Sequence, residues 1–176
     1  MTPPDFLRAY RFTRVQEGGY WPGKPGDMNP TDRGVTQHAY DDFRTGHALS
    51  PRDVRQMTEE ECQGVYQQYW EDAHCPQMPT AEVALLHFDM GFNAGTGTAA
   101  KMLQRVVGVT PDGAIGPATI AAVTAAATTD HKALLVRLTG ARATRFRKLA
   151  EADPLKQKFL VGWLRRVSAI QKEVGV

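Results

Sequence analysis

The stretch Thr58-Glu59-Glu60-Glu61-Cys62-Gln63-Gly64-Val65-Tyr66-Gln67-Gln68-Tyr69-Trp70 decides the fold class. Thr58 followed three residues later by Glu61 has the form of a capping box, in which each side chain accepts from the other residue's backbone N–H. Behind it Cys62, Val65, Tyr66 and Tyr69 recur at i, i+3, i+4 and i+7, the spacing of one helix face. The same period extends in both directions. Upstream, Thr2 offers a cap with Pro3 at the first helical position, and Phe6, Leu7, Tyr10 and Arg14 fall at helical spacings until Gly18-Gly19. Ser50-Pro51 reads as a further cap followed by a favourable first helical residue. Downstream, Pro76 to Pro79 breaks the helix. Thr80 then opens another through Ala84, Leu85, Phe88 and Phe92, closed by the loop Asn93-Ala94-Gly95-Thr96-Gly97.

A short helix with Met102, Leu103 and Val106 follows. The turn-rich segment Thr110-Pro111-Asp112-Gly113-Ala114-Ile115-Gly116-Pro117 then feeds an alanine-rich helix. Two long amphipathic helices, separated near Asp153-Pro154, finish the chain, and the last is expected to bury Phe159, Leu160, Trp163, Leu164, Val167 and Ile170. Between Tyr20 and Val35 glycines and prolines crowd a polar stretch, which reads as a loop or short hairpin. Val35 to Phe43 reads as a short helix or a strand leading into one. No alternating β pattern of useful length and no tandem repeat occurs. The expected class is mainly α, with one small irregular or hairpin lobe after the first helix.

The 176 residues suffice to bury a core without a disulfide scaffold. No apolar run approaches the roughly 20 residues that span a bilayer. Met1-Thr2-Pro3-Pro4-Asp5 lacks the basic and apolar regions of a secretory signal, so synthesis in a cytoplasm without a signal peptide is expected. A formal charge of +2 does not by itself point to nucleic acid. The charge is unevenly placed, however: from Arg137 onward Arg142, Arg145, Arg147, Lys148, Lys156, Lys158, Arg165, Arg166 and Lys172 stand against only Glu151, Asp153 and Glu173. That bias suits a polyanion such as a bacterial envelope, or simply solvated helix faces. Cys62 and Cys75 lack a CxxC spacing and read as buried free thiols. His74 adjoins Cys75, but no further cluster completes a metal site, and no cofactor is expected.

Glu17 carries the chemistry. It closes the last turn of the first helix against Gly18-Gly19, where a carboxylate faces the negative end of the helix dipole. That placement is wrong for a stabilising surface glutamate and suits a carboxylic acid that delivers a proton. Glycosidic cleavage needs such an acid, because the departing sugar oxygen is protonated as the bond breaks. The plain alternative is a chance glutamate before a helix-ending glycine pair. The following lobe adds Asp27, Asp32, Thr36, Asp41 and Asp42. Asp32, in Asp32-Arg33-Gly34-Val35-Thr36, is the best placed second group, and Thr36 can orient a water. Against this, an Asp in a glycine-rich turn usually bonds its own backbone. Asp27, before Met28-Asn29-Pro30, reads as a turn residue.

Glu17-Gly18-Gly19-Tyr20 followed by Asp32-x-Gly34-x-Thr36 resembles the opening of glycoside hydrolase family 108, lysozyme-like N-acetylmuramidases found as phage endolysins and secretion-associated enzymes. Tyr69-Trp70, His87-Phe88-Asp89-Met90-Gly91-Phe92-Asn93-Ala94-Gly95, Asp112-Gly113-Ala114-Ile115-Gly116-Pro117-Ala118-Thr119 and Gly162-Trp163-Leu164-Arg165-Arg166 resemble further segments of that family in the same order. The family's Gly-Gly-x-Thr element followed by Gly-Ile is kept only in part, since Thr36 is followed here by Gln37-His38-Ala39-Tyr40. The resemblance implies a lysozyme-like helical fold, with a catalytic region over 1–96 and a helical peptidoglycan-binding-type region over 97–176, packed as one compact unit. It implies Glu17 as catalytic acid, bacterial peptidoglycan as substrate, and a cell-wall site of action after release or export from a bacterial cytoplasm. A holin or secretion machinery is the partner this implies; nucleic acid and stable membrane insertion are not.

Other residues carry two readings each. Tyr20, Trp21 and Tyr40 can stack on sugar rings or lie in the core, with Tyr20 favoured because it adjoins Glu17. Asn93 can contact an acetamido sugar or, like Asp89, buttress a helix end. Tyr66, Tyr69, Trp70 and Trp163 read as core, and the Asp112-to-Thr119 loop as scaffold. The leading expectation is hydrolysis of the β-1,4 bond between N-acetylmuramic acid and N-acetylglucosamine, with Glu17 as acid and Asp32 and Thr36 assisting. A lytic transglycosylase, which needs one acid/base only, is the alternative. A non-catalytic wall-binding protein is the third reading.

Overall fold

A computed structural model describes residues 4–23 and 29–176. Thr2, Pro3 and Asp27, for which cap and turn roles are expected, lie outside the described residues. The chain forms two compact units, Met1–Trp70 and Glu71–Val176.

In the first unit helix α1 spans Pro4–Gln16. Strands β1 (Thr31–Asp32) and β2 (Val35–Thr36) pair antiparallel, with Thr31 opposite Thr36 and Asp32 opposite Val35. Arg33 (φ 51) and Gly34 (φ 79) make the turn, both left-handed, as a tight two-residue hairpin requires. Trp21 adds a bridge to Thr31, its N–H donating to the Thr31 carbonyl at 2.7 Å and its carbonyl accepting at 2.8 Å. Helix α2 (Gln37–Gly46) starts where the Thr36 hydroxyl accepts from the Ala39 N–H at 3.2 Å. Helix α3 (Glu59–Asp72) opens on the expected capping box: Thr58 N–H donates to Glu61 Oε2 at 2.9 Å, and Glu61 N–H to Thr58 Oγ1 at 3.2 Å. Phe6 meets Trp70 edge-on at 5.8 Å between ring centres, and Tyr10 meets Tyr66 edge-on at 5.0 Å. All four rings are buried, so α1 and α3 share an aromatic core whose pairs each add about 0.5–1.5 kcal/mol beyond burial.

Ser50-Pro51 does not start a helix. The cap falls on Asp53, whose Oδ1 accepts from Arg55 N–H at 2.9 Å and opens a 3-10 turn over Val54–Gln56. The Ser50 carbonyl instead accepts from Arg44 Nε at 2.5 Å.

In the second unit Thr80 caps helix α4 (Ala81–Ala94), accepting from the Val83 N–H at 3.3 Å. Helix α5 (Thr96–Val107) follows after Gly95 alone, at φ 87, so the loop expected at 93–97 shrinks to one left-handed glycine. Helix α6 covers Pro117–Ala152 with one non-helical residue, Asp130 (φ −157, ψ 92). Asp130 Oδ1 accepts from Ala133 N–H at 2.9 Å, so this residue ends the alanine-rich half and caps the next. Helix α7 spans Gln157–Val174. Its buried face runs through Arg166, Val167, Ile170 and Val174. Phe159, expected in the core, is therefore 49% exposed in the first turn, while Trp163 is half-buried and stacks on Phe146 at 5.1 Å.

Helix α4 is buried from Val83 to Gly91. At its centre Asp89, with no side-chain exposure, accepts from Arg142 Nη1 at 2.5 Å and from Arg166 Nε and Nη2 at 3.1 and 2.6 Å. Burial alone would raise the Asp89 pKa; the two guanidiniums outweigh it and hold the carboxyl below its ordinary range. Two of the segments that carry the family resemblance thus meet in one buried ion cluster. Cys62 and Cys75 are free, buried thiols, both pushed up in pKa by burial. Among the described residues no helix is long and apolar enough to cross a membrane.

Candidate active site

Helix α1 ends at Gln16, and Glu17 is the first residue beyond it, partly exposed, its N–H donating to the Arg14 carbonyl at 3.3 Å. Gly18 and Gly19 follow on the surface. A β-carbon at either would meet nothing within 4 Å, and neither has positive φ, so the fold does not demand glycine there. The pair leaves the surface beside the Glu17 carboxylate bare.

Behind it stands Tyr66, fully buried, its hydroxyl donating to the Arg33 carbonyl at 2.8 Å. The Tyr66 pKa is raised first by burial and next by the negative charge of Glu17. One tyrosine of α3 thus lies within the field of Glu17 and also holds the hairpin turn. The turn is further tied by the Arg33 side chain. Its Nε donates to Asp32 Oδ2 at 2.8 Å, Nη1 to Glu59 Oε2 at 3.1 Å, and Nη2 to the Met57 carbonyl. Tyr10 donates its hydroxyl to the same Glu59, and this bond is the main reason the Glu59 carboxyl sits below its ordinary range. These contacts fix a hairpin whose two-residue strands would not hold alone.

The candidates fall unequally around this frame. The Asp32 side chain is 14% exposed and engaged by Arg33 rather than by its own backbone. Thr36 sits at the helix α2 cap, its oxygen accepting from Ala39, which leaves the hydroxyl proton to donate. Tyr20 and Trp21 are each 44% exposed, and the Arg55 guanidinium lies 5.5 Å from the centre of the Tyr20 ring. Both rings are partly open to solvent. Tyr40 is not. It has no exposure, and its hydroxyl donates to Glu61 at 2.9 Å and accepts from Arg52 Nη2 at 2.7 Å and Arg44 Nη1 at 3.2 Å. An aromatic closed into an ion network cannot stack on a saccharide, and the expectation for Tyr40 is corrected to a core role. Asn93 is exposed near the end of α4, in the second unit. The sequence reading passed over Arg33, Glu59 and the Tyr66 hydroxyl. The available signal was Arg33 itself, a long side chain at a turn position that favours glycine or asparagine.

The Asp112 loop of the second unit closes around the buried side chain of Gln104. Its Nε2 donates to Asp112 Oδ1 at 2.7 Å, the Ala114 carbonyl at 2.9 Å and Thr119 Oγ1 at 3.2 Å, and its Oε1 accepts from Gly113 N–H at 2.9 Å. Asp, Gly and Thr of that segment therefore have a structural reason to be where they are.

Residues 10–95 match the family described as Glycosyl hydrolase 108, and residues 98–168 match one described as Predicted Peptidoglycan domain. Among solved structures the chain is similar to SagA of Brucella abortus, with a TM-score of 0.74 and 28% identity over 96% of this chain and 92% of that one. No curated protein matches. The helical fold with its small hairpin and these matches define a lysozyme-like glycoside hydrolase that acts on peptidoglycan. Residues 10–95 are thus similar to a glycosyl hydrolase 108 catalytic region.

Proposed function

We propose that the chain is an N-acetylmuramidase that hydrolyses the β-1,4 bond between N-acetylmuramic acid and N-acetylglucosamine, with Glu17 as general acid. The observation that carries this reading is the setting of Glu17: a partly exposed carboxyl just past a helix end, on a surface kept bare by two glycines the fold does not need, with the Tyr20 and Trp21 faces close by in sequence. In the reaction the Glu17 proton passes to the glycosidic oxygen as the bond from the anomeric carbon breaks. Positive charge develops on that sugar ring. A water oxygen then bonds to the anomeric carbon, and its surplus proton returns through solvent to the Glu17 carboxylate, restoring the acid. Asp32, held by Arg33, supplies negative charge from the hairpin, and the Thr36 hydroxyl can donate to or orient the water. Tyr20 and Trp21 supply stacking faces.

A lytic transglycosylase is the second reading. The engagement of Asp32 by Arg33 favours it, because that reaction needs one acid/base and no free second carboxylate. Mass spectrometry of the fragments released from purified walls separates the two. Reducing N-acetylmuramic acid ends are expected, whereas 1,6-anhydro ends would make it a transglycosylase and reducing N-acetylglucosamine ends would move the cut to the other bond. We place its action at the wall after synthesis in a bacterial cytoplasm, with a holin pore or secretion machinery as the route. Lysis of an expressing host is then expected to depend on coexpression of a pore.

A further inference from the structure

The second unit carries a cavity of about 510 Å³ between α5 and the second half of α6. Its lining joins apolar side chains, among them Met102, Val106 and Leu149, to three cations, Arg105, Arg145 and Lys148. No acidic residue lines it. None of the three cations takes part in an ion pair or a side-chain hydrogen bond among the described residues. The Nε of Arg145 is buried without a hydrogen-bond partner. Arg145 and Lys148 are three apart on one helix, a spacing at which like charges repel. A buried donor left unmatched and cations gathered without counter-charge are both destabilising, so the fold itself gains nothing from this arrangement. The volume lies within the roughly 300–1,000 Å³ of small-ligand sites. All the lining residues fall within 98–168, the span that matches the peptidoglycan domain.

We propose that this cavity binds the anionic peptide stem of peptidoglycan, with stem carboxylates on Arg105, Arg145 and Lys148 and stem alkyl groups against Met102, Val106 and Leu149. The inference rests on the reading of the chain as a peptidoglycan-cleaving enzyme and names the part of that substrate the second unit grips. Charge selects the stem over the glycan. Once the lactyl carboxyl of each muramic acid is amidated by its stem, the sugar backbone is neutral and the carboxylates lie on the peptide. A planar guanidinium matches a carboxylate with two parallel hydrogen bonds, which suits the two arginines to this partner.

Calorimetric titration of the full chain, in the Glu17→Gln background so that no turnover intervenes, tests the assignment. The probes are the tripeptide L-alanyl-γ-D-glutamyl-meso-diaminopimelate, the same peptide with its carboxyls amidated, a peptide-free N-acetylglucosamine pentamer, and an oligomer of glycerol phosphate. The free tripeptide is expected to bind. Amidation, Arg145→Met and Lys148→Glu are each expected to weaken it by roughly tenfold or more, the scale of one charged hydrogen bond. Lys148 is exposed, so Lys148→Glu keeps the test sound whatever Arg145→Met does to folding. No tripeptide binding, binding indifferent to both substitutions, or tighter binding of the pentamer or the glycerol phosphate oligomer through these residues overturns the proposal. A failure of the muramidase reading would show in the released ends instead and leave this titration as it was.

Discussion

The two compact units treat their carboxylates in opposite ways. In the second, Asp89 is sealed inside α4 and saturated by Arg142 and Arg166. In the first, Glu17 lies partly open beyond the end of α1, next to bare glycines and a hairpin with strands of two residues. A sealed, doubly paired carboxylate has neither access to substrate nor freedom to exchange a proton, so it organises the fold. A carboxyl at an exposed break in regular structure can do chemistry. Both lie on segments that carry the family resemblance, so the resemblance alone does not separate the two roles. Burial separates the sealed carboxylate from the open one.

The contrast is broken most strongly at Asp89. Asp89→Ala takes the shared carboxylate from two buried guanidiniums and is expected to cost about 3–5 kcal/mol. Denaturant unfolding measures this, and a cost near zero would show that the cluster does not hold the second unit together. Next in size is an effect of pH at His87, buried on the same helix, whose pKa burial lowers to about 4. Between about 4 and 6.5 the unfolded chain binds a proton that the folded chain refuses, so this contribution is full above about 6.5 and is lost as pH falls through that window. A shift of that size corresponds to roughly 3 kcal/mol. An NMR titration of the His87 ring should show a midpoint near 4, and His87→Gln should flatten the acid slope of stability. A ring that titrates at its ordinary value would contradict it.

The capping box, the helix caps at Thr80 and the aromatic stripe of α3 were all legible in the sequence, because each is set by residues within a few positions of one another. The mainly helical class followed from them. What stayed hidden depends on long-range pairing. Arg166 reaches Asp89 from 77 residues away, and Tyr66 reaches the Arg33 carbonyl from 33. Tyr40 looked like a sugar platform because nothing local announces that Arg44, Arg52 and Glu61 will close over its hydroxyl. Phe159 looked buried because its spacing continues the apolar stripe of α7, and only packing shows that the stripe turns outward in the first helical turn. The place of Glu17 at a helix end was legible, while the bond from Tyr66 to the Arg33 carbonyl was not.

Within the first unit smaller effects are expected. Glu61→Ala removes the side-chain half of the α3 capping box, while Thr58 still caps, and the counter-charge to Arg44 and Arg52, at about 2 kcal/mol in thermal or denaturant unfolding. A finer test compares Arg33→Gly with Arg33→Ala. Both lose the guanidinium, but at φ 51 only glycine is unstrained, so the glycine variant should be the more stable by about 1 kcal/mol. Equal stabilities would mean that the turn relaxes out of the left-handed conformation.

The most direct measurement of the central claim is the rate at which Glu17→Gln releases reducing ends from purified peptidoglycan, set beside its melting temperature. The account predicts a loss of roughly 10²–10⁴-fold, the usual contribution of a general acid, with melting unchanged because the side chain is partly exposed and lies beyond α1. Full activity in a folded Glu17→Gln variant would contradict it.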